Sequence, residues 1–148
     1  MSEDPEGGPK QLWESQGVDA EMMPLITEPE IIARAYIDAV GAHELERLET
    51  LFDESLLATF AGGRFDKGEW IVALRRLLPV LMRNDIREVF VAGSRVCVSY
   101  DFVTDTPAGS VACIELISVD RGRITEIELI LDRVAFSPVG IALKERHV

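Results

Sequence analysis

A chain of 148 residues, 47% of them hydrophobic, is long enough for one folded domain with a real core. Its formal charge of −11, from 26 acidic against 15 basic residues, disfavours nucleic acid and anionic membranes as partners. No apolar run approaches the roughly 20 residues that span a bilayer, the acidic start carries no signal-peptide core, and His43 and His147 alone make no histidine-based metal cluster.

Residues 1–26 carry Pro5, Gly7, Gly8, Pro9 and Gly17 without clear periodicity, so they are expected to form a flexible or loosely docked extension to a single domain over 27–148. The stretch 22–26 is apolar enough to dock. Thr27, with Glu30 three residues on, has the pattern of a capping box. Ile32, Ala35, Tyr36, Ala39 and Val40 then form one apolar stripe at helical spacing. After Gly41 a second short helix is predicted, with Leu45, Leu48 and Phe52 on one face. A strand over 56–61 closes at Gly62-Gly63. Asp66 and Glu69 start a third helix, whose stripe runs Trp70, Leu74, Leu77, Leu78 and Leu81, with Pro79 ending or kinking it.

From Ile86 the hydrophobic period changes to two. Strands are predicted near 86–92, 95–105, 110–119 and 123–133, with turns at Gly93-Ser94, 106–109 and 120–122. Three helices and an early strand before a strand-rich half make an α+β arrangement, and the short loops make the last strands antiparallel neighbours. Cys97 and Cys113 fall on opposite strand faces. They read as reduced packing residues, for which a cytoplasmic setting fits.

The strand over 110–119 holds one charge. Its faces read Val111, Cys113, Glu115, Ile117, Val119 and Ser110, Ala112, Ile114, Leu116, Ser118. The second set begins and ends with serine, so the first is the expected core face. Glu115 then points inward, where an unpaired carboxylate costs several kcal/mol unless it keeps its proton (on the order of the desolvation penalties known for buried charges). Val96, Val98, Tyr100 and Phe102 alternate with Arg95, Ser99 and Asp101 in the same way. Ile127, Leu129 and Leu131 oppose Glu126, Glu128 and Asp132. The helices are therefore expected on one side of the sheet, with Glu115. The other side mixes charge with Ile114, Leu116 and Ile130, as in a homodimer surface or a solvated face.

The order and spacing of Ala35-Tyr-Ile-Asp-Ala-Val-Gly-Ala-His-Glu-Leu45, Leu51-Phe-Asp-Glu-Ser55, the helix start at Gly68 and Gly122-Arg-Ile-Thr-Glu126 resemble the nuclear transport factor 2-like superfamily. That superfamily includes SnoaL-like cyclases, ketosteroid isomerases and limonene-epoxide hydrolases, and the resemblance runs from about residue 28 to 136. It implies a cone-like, curved, mixed or antiparallel sheet wrapped on the N-terminal helices, a cystatin-like α+β barrel with an apolar pocket between the layers. Against ketosteroid isomerase, Tyr36 falls at the oxyanion-hole tyrosine and Glu115 at the protonated aspartic acid. The position of the aspartate base holds Phe60. Against limonene-epoxide hydrolase, the places of the Asp–Arg–Asp set hold Tyr100, Phe102 and Leu129. Neither usual mechanism is therefore supported.

The resemblance then implies a SnoaL-like enzyme working by acid/base chemistry on a small apolar molecule, of isomerase, cyclase or dehydratase type, without cofactor or metal. Glu115 is the candidate proton donor or acceptor and Tyr36 its hydrogen-bonding orienter. Phe60, Trp70, Leu74, Tyr100, Phe102, Cys113 and Leu129 are candidate substrate contacts, each also readable as plain core. Glu115 is readable too as a structural carboxylate paired with an arginine, or as one reaching solvent near a strand end. The competing function is a non-catalytic ligand-binding or dimeric assembly module of the same fold.

Overall fold

The computed structural model describes residues 26–146, and the expected docking of 22–25 lies outside them. Helix α1 spans Glu28–Gly41, a single 3-10 turn covers Leu45–Arg47, and α2 is Leu48–Leu51. Strands β1 (Phe52–Phe60) and β2 (Gly63–Phe65) precede α3 (Lys67–Leu77). Four long strands follow: β3 (Leu81–Ala92), β4 (Arg95–Thr104), β5 (Ser110–Asp120) and β6 (Arg123–Leu131). Helix α4 (Arg133–Arg146) comes last. The six strands form one open sheet in the order β2-β1-β6-β5-β4-β3, antiparallel except for the β1–β6 pair. No helix among the described residues is long and apolar enough to cross a membrane.

Alternation places the core. Val96, Val98, Tyr100 and Phe102 of β4, with Val111, Cys113, Glu115, Ile117 and Val119 of β5, are all buried on one face. The α1 residues Ala33, Tyr36, Ile37 and Val40 pack onto that face at helical spacing, and Trp70, Ile71 and Leu74 of α3 cover it beside them. The C-terminal end of α1 lies directly on β3. A Cβ on Gly41 would sit 2.6 Å from the Asn84 backbone nitrogen, so only glycine lets the two backbones approach this closely. Two register shifts in β3, between Leu81 and Arg83 and between Ile86 and Glu88, are bulges that bend the edge of the sheet.

Several boundaries differ from expectation. Phe52 opens β1 instead of closing the second helix, and the early strand begins four residues sooner than its apolar run. Pro79 ends α3 at Leu77, so Leu81 belongs to β3 and not to the helical stripe. The chain continues past Gly62-Gly63 into the short strand β2. The last strand stops at Leu131 and a fourth helix replaces its predicted end. Within α4, Pro138 has no N–H to give the Val134 carbonyl, and the Ser137 hydroxyl donates to that carbonyl instead, at 2.9 Å. Thr27 does cap α1, accepting from the Glu30 amide at 3.4 Å. The Glu30 carboxylate, however, turns to Arg34 at 2.8 Å instead of completing the box.

Candidate active site

The α1 stripe buries Tyr36 completely, and its hydroxyl donates to Glu115 Oε1 at 2.7 Å. Glu115 stands on β5 between Val98 of β4 and Leu129 of β6. Tyr100, two residues along β4 from Val98, reaches diagonally and donates to the other carboxylate oxygen, Oε2, at 2.5 Å. The third contributor is α3. Its capping box, Asp66 with Glu69, fixes where the helix starts. Lys67 ties that start to the neighbouring turn, donating to the Glu49 carbonyl at 3.0 Å and to Glu54 at 2.8 Å. One turn on, Trp70 Nε1 donates to the Tyr36 oxygen at 3.1 Å. Trp70, Tyr36, Glu115 and Tyr100 thus form one buried chain of hydrogen bonds drawn from four elements.

Among the described residues no lysine, arginine or histidine pairs with Glu115. Burial pushes its carboxyl up to about 7, while the Tyr100 and Tyr36 hydroxyls, which favour the ionised form, hold it from going higher. Burial and then the adjoining carboxylate raise both tyrosines well above the ordinary phenol range. The same two causes push the Cys113 thiol up to about 12. Only Glu115, of the titratable groups in this cluster, changes charge near neutral pH. Cys113 is correspondingly inert as a nucleophile.

The cluster forms one wall of a cavity between the sheet and α1 and α3. The cavity volume is about 130 Å³, below the roughly 300 Å³ at which typical ligand pockets begin. All nine residues singled out from the sequence line it: Tyr36, Phe60, Trp70, Leu74, Tyr100, Phe102, Cys113, Glu115 and Leu129. The structure adds Phe65 from β2 and Phe136 from α4, whose rings lie 5.2 Å from Trp70 and 5.8 Å from Phe102. It also adds Asn84 from β3, whose amide donates to the Ile37 carbonyl at 3.1 Å while its Oδ1 has no protein partner. Among the described residues Glu115 is the only carboxylate lining the cavity. Phe60 stands in the wall and brings no base.

A family model described as a SnoaL-like domain matches residues 33–127. The chain belongs to the SnoaL-like family. Among curated proteins, none matches the sequence. Solved structures with the same nuclear transport factor 2-like fold include a protein from Kribbella flavida DSM 17836, 22% identical over 77% of this chain and 94% of that one, with a TM-score of 0.68. An LEH-like epoxide hydrolase from M. tuberculosis is 19% identical over 81% and 95%, TM-score 0.64. A candidate SnoaL-like polyketide cyclase from Jannaschia sp. CCS1 is 15% identical over 77% and 92%, TM-score 0.64. At these identities the likeness establishes the fold, on which this SnoaL-like chain places its own polar set.

Phe65, Phe136 and Asn84 lie outside the residues singled out from the sequence. Phe65 sits beside a double glycine and reads as turn. Phe136 lies in a helix beyond the last predicted strand, where no element is expected. Asn84 falls in the segment between the predicted third helix and the next strand. The apolar pair Val139 and Ala142, three residues apart, is the helical signal in that segment, and both are buried.

Proposed function

We propose that this protein is a SnoaL-like enzyme that moves protons on a small, apolar, carbonyl-bearing substrate, with Glu115 as its acid and base. The observation that carries this reading is a buried carboxyl with no cation beside it, titrating at about 7 in the wall of an otherwise apolar cavity. Protonated, Glu115 supplies a proton to the carbonyl oxygen. As carboxylate it then takes one from the carbon next to that carbonyl. The substrate leaves this step as its enol and Glu115 regains its proton, so one acid suffices where a second would otherwise be needed. Return of the proton to a different carbon is an isomerisation. Attack by the enol carbon within the same molecule is a cyclisation, and expulsion of a neighbouring hydroxyl is a dehydration. Tyr36 holds the carboxyl in place, and Phe60, Trp70, Leu74, Tyr100, Phe102, Cys113 and Leu129 enclose the substrate. The narrow cavity favours a single-ring molecule over a polycyclic one.

Acetophenone in deuterated water tests this directly. The protein is expected to speed exchange of the methyl protons, and Glu115→Gln to lower that rate by about 10²-fold or more. Exchange no faster than in buffer, with acetophenone bound, would remove the enzyme and leave a ligand-binding module.

A second reading, assembly, is favoured by the outer sheet face. Ile114 and Ile130 are cross-strand partners and are 41% and 47% exposed. Phe90, 58% exposed, continues the apolar surface toward the β3 edge. Burying such a face between two copies would form a homodimer. Light scattering after size exclusion should give twice the chain mass, and Ile114→Lys should halve it. A monomeric wild type at high concentration would sink this reading.

A further inference from the structure

We propose that Tyr100 is the hydroxyl that meets the bound carbonyl, delivering the proton of Glu115, whereas Tyr36 is a positioning residue whose hydroxyl stays on the carboxylate. The proposal rests on the reading of Glu115 as the acid, and it comes from counting donors and acceptors in the buried chain.

With Glu115 ionised, every polar hydrogen around it is committed. Trp70 donates to Tyr36, Tyr36 to Oε1, Tyr100 to Oε2, and the Cys113 thiol to the Val111 carbonyl at 3.6 Å. The cluster then offers a ligand lone pairs only. A carbonyl, itself an acceptor, finds no donor there.

Adding one proton to Glu115 changes this, and the two carboxyl oxygens are not equivalent. A proton on Oε1 would point at the Tyr36 oxygen, which already accepts from Trp70, and would force the Tyr36 hydrogen away from its partners. Tyr36 has no surface to send it to, being 0% exposed. A proton on Oε2 points at the Tyr100 oxygen, which accepts from nothing else. The hydrogen bond between Oε2 and Tyr100 then reverses direction, and the Tyr100 hydrogen is released. Tyr100 and Glu115 are 4% and 3% exposed, and both line the cavity. A carboxyl proton turned instead into the empty apolar cavity would be an unpaired buried donor, the unfavourable case. Protonation therefore converts the wall from acceptor to donor at Tyr100.

The relay conserves charge and atoms. The carbonyl oxygen takes the Tyr100 hydrogen, Tyr100 takes the Glu115 proton, and the carboxylate left behind takes the proton from the carbon beside the carbonyl. The groups facing Glu115 are Tyr36 from α1, Trp70 from α3, Tyr100 and Val98 from β4, Cys113 from β5 and Leu129 from β6. Neither tyrosine nor the thiol titrates near neutrality, so a charge change there belongs to Glu115.

The chain has two tyrosines, Tyr36 and Tyr100, so 3-fluorotyrosine labelling gives two fluorine resonances, and either Tyr→Phe variant alone assigns both. Acetophenone at about pH 5.5 is expected to move the Tyr100 resonance and leave that of Tyr36 nearly in place. Its affinity should fall about 30-fold by about pH 8.5, as mass action requires of a group titrating at about 7. Tyr100→Phe should abolish the methyl exchange, whereas Tyr36→Phe should lower it only in part and raise the pH midpoint, because the ionised carboxyl loses a donor. Movement of the Tyr36 resonance alone, equal affinity at both pH values, or full exchange in Tyr100→Phe overturns the relay while leaving Glu115 as acid. Absence of acetophenone binding to the wild type overturns the relay and the acid/base reading together.

Discussion

The inner floor of the cavity and its rim are built differently. On the floor, Glu115, Tyr100 and Phe102 stand on central strands that are paired on both sides, and α1 presses Tyr36 onto them. The Glu115 carboxylate is held twice, by Tyr100 within the sheet and by Tyr36 from the helix above. The rim consists of β2, three residues long, and α4, of which only Val139 and Ala142 are buried. Helix α4 is held at its ends instead. Asp132 accepts from the Val134 and Ala135 amides at its start, and Arg146 donates to the Pro79 carbonyl and pairs with Asp105 at its finish. Val134 and Ile141 meanwhile face outward, 82% and 59% exposed. The Glu115 cluster therefore sits where the fold is over-determined, and the rim lies where it is not.

Large effects belong to the floor. Phe102→Ala removes a ring that is 4% exposed and should destabilise the protein by about 3–5 kcal/mol in urea titrations. A loss below about 1 kcal/mol would mean that the floor yields as easily as the rim.

Glu115→Gln should show the next largest change, and its sign depends on pH. Glu115 titrates at about 7 in the fold against an ordinary value of 4.5, so the folded chain keeps a proton that the unfolded chain releases. Stability from this group falls as pH rises from about 4.5 to 7 and is constant above. The full difference is about 3 kcal/mol. Glutamine does not titrate, so Glu115→Gln should gain on the wild type across that window. Parallel stability profiles for the two proteins from about pH 4 to 8.5 would show that burial is not straining the carboxyl.

The same division explains what the sequence revealed. Period-two alternation in β4 and β5 is undisturbed by bulges, so the inward placement of Glu115, Tyr100 and Phe102 followed from counting residues. The helical stripe likewise turned Tyr36 toward them. The Tyr36–Glu115 hydrogen bond follows from the resemblance, whereas the Tyr100–Glu115 bond was out of reach, because that contact is diagonal and depends on the register between strands. The donation from Trp70 depends on how α3 docks. At the rim, local signals conflict with the fold. Pro138 and Gly140 argue against a helix that tertiary contacts and the Ser137 hydroxyl sustain. Leu81 continues a helical stripe past the proline that ends it, and bulges interrupt the alternation of β3.

The smallest expected effect is at the rim, and it is the most telling. Phe136 is half-buried and its ring packs on Phe102 at 5.8 Å, so Phe136→Ala should reduce stability by only about 1–2 kcal/mol. Its effect on the cavity should be disproportionate, because the ring forms part of the wall against which a ligand lies. Truncation widens the mouth and leaves the Tyr36–Glu115–Tyr100 cluster untouched. The pH midpoint of acetophenone binding should therefore stay where it is in the wild type, while both association and dissociation become faster. A larger ketone such as 2-acetonaphthone should gain in affinity relative to acetophenone. Line-shape analysis of the Tyr100 fluorine resonance reads the rates and the midpoint in one titration. A shifted midpoint would mean that α4 holds the acid as well as the entrance, and the separation of floor from rim would fail.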